Sequence, residues 1–201
     1  MGNTNYIDYV TLATTGDAAD FGDLLGTNDG LASVDSPILA IFSGGASYSN
    51  VIQYVSFSTL SNSVDWGDLT VGRGNCFGGG STSTRGLFAG GDTGSVSNVV
   101  DYINFASCGN ATDFGDLTQA RQQLAGSSNS VYAVWGGGYT DTYVNTIDYN
   151  TISTPGNSSD FGDLSVARRY LGGTSGSHGG LQVYVQPYSL NDRGVFGGGY
   201  A

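Results

Sequence analysis

The segment Asp-(Phe/Trp)-Gly-Asp-Leu occurs four times, at Asp20–Leu24, Asp65–Leu69, Asp113–Leu117 and Asp160–Leu164, about 47 residues apart. A fixed internal period constrains the fold more than any composition does. Each copy must be one supersecondary unit that buries its apolar faces against the next. Two further signatures keep the same period. About eleven residues before each segment stands a tyrosine: Tyr9, Tyr54, Tyr102 and Tyr149. Later in each unit an aromatic residue is followed by glycines: Phe42 with Gly44 and Gly45, Phe88 with Gly90 and Gly91, Trp135 with Gly136 and Gly137, Phe196 with Gly197 and Gly198.

Each unit reads as four short strands separated by turn chemistry. The strand Asn145–Ile152 is matched by Asn98–Phe105, Asn50–Phe57 and Asn5–Leu12. The Asp-x-Gly-Asp-Leu strand follows, then a short strand near Leu124–Gly126 or Leu171–Gly173, then one that runs into the glycines, as in Gly194–Gly198. In the strand Asn98–Phe105, Val100 and Tyr102 share one face while Val99, Ile103 and Phe105 share the other. Apolar residues on both faces mean a sheet covered on both sides. Neither Glu nor Lys occurs in the 201 residues, while Gly contributes 34. That composition favours turns and strands and excludes a helical protein.

The expected fold is therefore all-β: a small β-propeller of four four-stranded blades in a single domain, with repeat units about 1–45, 46–91, 92–138 and 139–201. Glycines suit the crowded centre, where backbones approach closely. The chain opens in the Asn5–Leu12 strand and finishes with Arg193–Tyr200, the strand that precedes it in other units. Pairing these first and last strands is expected to close the ring. Strand exchange between two chains is the alternative and gives a larger ring.

The order of glycine pair, tyrosine strand, aromatic before Leu, then Arg resembles the kelch repeat, which builds propeller blades. Here it runs Gly136-Gly137, Asp148-Tyr149, Phe161 with Leu164, and Arg168. The resemblance departs at the family's usual Trp, kept as Trp66 but replaced by Phe21, Phe114 and Phe161, and at Asn28, which stands where Arg73, Arg121 and Arg168 stand elsewhere. The phrase at Asn110–Leu117 is also similar to repeats in virion and tail-fibre proteins of tailed bacteriophages. That second resemblance implies a virion component, located on the particle surface, whose partners are other virion proteins or itself.

Charge narrows the function classes. The formal net charge is −11, with no Lys/Arg run. Binding to nucleic acid needs a positive stripe, so no such partner is expected. No apolar run approaches membrane-spanning length, and the polar start at Met1–Asp8 has no signal-peptide pattern. No membrane insertion is expected, and synthesis is expected in the cytoplasm. Cys76 and Cys108 are too few for a disulfide framework, and the sequence leaves their pairing open.

Residues that recur at fixed repeat positions, namely the tyrosines, Phe21, Trp66, Phe114, Phe161, Arg73, Arg121 and Arg168, are read as architecture. The arginines are expected to tie turns together or pair with a nearby Asp, a shared anion site being the alternative. Doubled aspartates such as Asp113 and Asp116 lack the calcium-loop rhythm, so hydrogen bonding to turn amides is their expected use. His178 is the sole histidine. No metal site, cofactor or catalytic residue is expected, and the protein is expected not to be an enzyme. The insertion between Gly173 and Arg193 is peculiar to one unit. Its His178, Gln182, Tyr184, Gln186 and Tyr188 form the candidate partner-binding loop, which either plugs the ring or contacts a subunit or glycan. A structural or interaction scaffold is the leading expectation. A carbohydrate-binding module, with Trp66, Trp135 or exposed tyrosines stacking on sugars, is the alternative.

Overall fold

The structure, a computed structural model, describes residues 4–76, 78–175 and 193–201. Apart from one 3-10 turn at Ala46–Tyr48, the regular elements are strands, so the fold is all-β. Three antiparallel four-stranded sheets occupy the middle of the chain. The first of these sheets, labelled the first blade as a name for its repeat unit, is β3 (Ala32–Asp35), β4 (Leu39–Ser43), β5 (Val51–Ser56) and β6 (Val64–Asp68). The second is β7 (Gly78–Ser81), β8 (Arg85–Ala89), β9 (Val99–Asn104) and β10 (Thr112–Asp116). The third is β11 (Ala125–Ser128), β12 (Tyr132–Gly136), β13 (Thr146–Thr151) and β14 (Ser159–Asp163). A two-stranded sheet precedes them, β1 (Thr4–Tyr9) with β2 (Ala19–Asn28). Another follows, β15 (Gly172–Ser175) with β16 (Gly194–Gly197).

The sheets stack face to face, and the core lies between them. Ile41, Ile52 and Trp66 of the first blade pack with Phe88, Ile103 and Ala111 of the second. Leu87, Val100 and Phe114 of the second pack with Ala133, Trp135 and Ile152 of the third. The first strand of each blade lies against the first strand of the next: β3 on β7, β7 on β11, β11 on β15. Glycine makes that approach possible. A Cβ on Gly126 would run into the Gly79 carbonyl, and one on Gly173 into that of Gly126. The glycine of the Asp-x-Gly-Asp segment has a different task. It sits at a bulge in the last strand of each blade, with φ between +136° and +146° for Gly22, Gly67 and Gly162, where a side chain is strained.

Two expectations need correction. The paired positive-φ glycines are Gly137 with Gly138 and Gly198 with Gly199, one residue later than the sequence reading placed them in those two units. More consequentially, the first and last strands do not pair within the chain. Tyr9 and Phe196 lie in separate two-stranded sheets, β1–β2 and β15–β16. Both half-sheets are already docked on their neighbours. Asp23 N and O bond the Asn62 side chain and Ser63 N of the first blade, and β15 packs along β11. The stacking rule is satisfied at each end, yet it does not bring the two ends together.

Candidate functional site

A buried ion pair ties together each of the two downstream blades. Arg73 leaves the turn after β6, lies 2.9 Å from Asp101 on β9, and donates to the Phe88 carbonyl at 3.1 Å. Arg121 repeats the arrangement, 3.0 Å from Asp148 on β13 and 3.2 Å from the Trp135 carbonyl. All four side chains are fully buried. Thr70 and Thr118 add hydroxyl and amide donors to the same carboxylates. Burial pushes the Asp101 carboxyl up, against the pull of Arg73 and Thr70, and pushes Arg121 down, against Asp148. Each charge is held there because its partner is.

The first blade replaces every member of this group together. Asn28 stands for the Arg, Gln53 for the Asp and Leu25 for the Thr. Asn28 donates to the Gly44 carbonyl, and the Gln53 side-chain oxygen accepts from Leu25 N and Ser63 Oγ. In the trailing half-sheet the cationic half survives alone. Arg168 donates to the Phe196 carbonyl at 3.0 Å and has no carboxylate beside it among the described residues.

The recurring tyrosines meet the recurring aromatics edge to face in all four copies. Tyr9–Phe21, Tyr54–Trp66, Tyr102–Phe114 and Tyr149–Phe161 have ring centroids 5.9, 5.4, 5.6 and 5.9 Å apart. Such pairs add to the area they bury. In three of the four segments the first Asp accepts from the bulge glycine: Asp65 from Gly67, Asp113 from Gly115 and Asp160 from Gly162. Trp66 and Trp135 are both buried, the indole N–H of Trp135 bonded to Asn150. Neither can stack on a sugar, which corrects that part of the carbohydrate expectation. Cys76 is a buried free thiol pushed up to about 11 by burial, and Cys108 is free and exposed. The loop residues His178, Gln182, Tyr184, Gln186 and Tyr188 lie outside the described residues.

One surface cluster is assembled once rather than in every blade. The Arg169 guanidinium lies over the rings of Tyr139, Tyr143 and Tyr170 at 4.6, 5.5 and 5.1 Å. Tyr200 stands edge-on to Tyr170. Buried Gln123 orients the group, donating to the Tyr170 hydroxyl and accepting from Arg169. At the position of Arg169 the second and third units carry Gly74 and Gln122, bonded through the same bridges. Sequence reading missed this cluster because its members come from three separate turns. It also missed Asp101 and Asp148, although a signal was present: after Arg73 and Arg121 the next unit has Asp before its repeat tyrosine, and after Asn28 the next unit has Gln53 there. No protein-family model and no curated protein matches the chain.

Proposed function

We propose that the stacked sheets are kelch-like blades of a closed β-propeller. In this reading the protein is a non-catalytic interaction scaffold, a fibre, decoration or host-contact component of a tailed-phage virion. The observation that carries it is the division of labour between repeated and unrepeated residues. Tyr and the aromatic residue meet edge to face in all four copies, and Arg and Asp pair in the same way in the second and third blades. The Arg169 cluster occurs once and presents Tyr143, Tyr170 and Tyr200 at the surface. Binding surfaces are commonly built from turns held by a rigid scaffold, and tyrosine gives contact area at low entropic cost. The virion assignment draws on the similarity of Asn110–Leu117 to phage repeat proteins. The protein then works by multivalent contact, without turnover.

The same cluster favours a second reading, in which exposed tyrosine rings beside a planar guanidinium hold a glycan. Mass spectrometry of purified particles tests the first reading, and finding the chain in stoichiometric amount with capsid or tail proteins supports it. Glycan-array binding lost on Tyr143→Ala or Tyr200→Ala would support the second. Absence from particles together with silent arrays would remove both.

A further inference from the structure

We infer that the fourth blade is completed by a second copy of the chain, β15 and β16 of one copy pairing with β1 and β2 of another. The inference rests on the propeller reading and adds to it where closure occurs.

Three independent sets of residues identify the occupant. The first is charge. Arg168 corresponds to Arg73 and Arg121, and Asp8 corresponds to their partners Asp101 and Asp148. In this structure Arg168 is half-buried and has no ion-pair partner among the described residues, whereas Arg73 and Arg121 are fully buried against Asp101 and Asp148. Asp8 is exposed on β1. Ser165 stands at the position of Thr70 and Thr118 in the repeat. The one complete blade that lost its cation lost its anion too, as Asn28 and Gln53. Blade four has kept both, on opposite ends of the chain.

The second set is apolar. Phe161 is 64% exposed, whereas Phe21, Trp66 and Phe114 at the same position are 3–8% exposed. Beside it, Val134, Ile147, Phe161 and Phe196 line a groove of about 350 Å³. In the preceding interface the equivalent space is filled from the next blade by Ile152, which is 1% exposed. The counterpart of Ile152 in the repeat is Leu12, 97% exposed. Val10 corresponds in the same way to Ile103, which packs against Trp66 in the interface before that.

The third set is the interblade hydrogen bonding. Gly109 and Gly156 donate to the carbonyls of Trp66 and Phe114, and Ala111 and Ser158 donate to those of Asp68 and Asp116. Asn110 and Asn157 accept from Asp68 N and Asp116 N. On the third blade the matching groups of Phe161 and Asp163 have no such neighbour among the described residues, and a Cβ on Gly162 would meet nothing within 4 Å, against 2.6 Å for Gly115. The residues that would serve them are Gly16, Asp17 and Ala18. The register follows from β12–β13, where Val134 faces Tyr149 and Trp135 faces Asp148. Val195 then faces Tyr9, and Phe196 faces Asp8. Because both half-sheets are already seated on their own blades and do not meet, the complement comes from another copy, through a head-to-tail contact that repeats from chain to chain.

The test places Tyr9→Cys and Val195→Cys on separate chains, each with Cys108→Ser, and co-expresses them. The expected result is a mixed disulfide dimer on a non-reducing gel. Native mass spectrometry of the unmodified chain is expected to show an integer multiple of 20.7 kDa, two or more. Asp8→Arg or Arg168→Asp alone is expected to weaken assembly at least tenfold, and the double exchange in one chain to restore it. A monomeric mass, with an internal disulfide only when both cysteines share a chain, overturns the second copy but leaves the propeller standing. No disulfide in either arrangement overturns both.

Discussion

Arg121 and Asp148 are buried charges that depend on each other, and the consequence is asymmetric. Asp148→Ala leaves a guanidinium in the core with one carbonyl for company, and is expected to cost about 3–5 kcal/mol in urea unfolding. Replacing both, as Arg121→Met with Asp148→Leu, is expected to cost less than the single change. An equal or larger loss in the double variant would show that the pair stabilises through more than mutual compensation. Thiols give a second check at this scale. Cys108 is expected to react with iodoacetamide at mild alkaline pH, and Cys76, buried and pushed up to about 11, to remain unmodified until the protein unfolds. Labelling followed by peptide mass analysis reads both. The repeat arginines were visible in the sequence as a column. Their partners were hidden because Asp also fills every turn, and only the joint change to Asn28 and Gln53 distinguishes the buried Asp column from the exposed ones.

Strand order within each blade was legible because four copies of one pattern average out local noise. The strand holding Tyr102 and the strand holding Phe114 appear in the structure as β9 and β10, paired antiparallel. Less legible was β2, which runs unbroken from Ala19 to Asn28 where the sequence of the first unit looks irregular. The glycine-rich β7, β11 and β15 carry almost no apolar signal, since their role is to let neighbouring backbones touch. Gly126→Ala is accordingly expected to cost about 1–3 kcal/mol by forcing β11 away from β7. Gly197→Ala, with nothing within 4 Å, is the control and is expected to leave the melting temperature of the isolated chain nearly unchanged. Equal losses at the two positions would remove the close approach as the reason for glycine in β11.

At the scale of the whole molecule, what the sequence could not reveal is whether the first and last strands meet within one chain. Complementary first and last strands say that they fit each other, not that one chain can bring them together. Curvature emerges only from the interblade contacts, and those contacts leave Phe161 and Leu12 uncovered. Phe114→Ala, inside an interface formed within the chain, is expected to lower stability by about 3–5 kcal/mol at any protein concentration. Phe161→Ser is expected to leave the dilute chain almost as stable as before and to shift assembly to higher concentration, measured by light scattering across a dilution series. The most direct measurement of the composite blade is the distance from the Asp8 carboxylate to the Arg168 guanidinium in an experimental density map of the assembled protein. The expected value is about 3 Å between two different chains, matching the 2.9 and 3.0 Å of the pairs in the second and third blades. Asp8 in solvent, with the free edges of β1 and β16 unpaired, would contradict it.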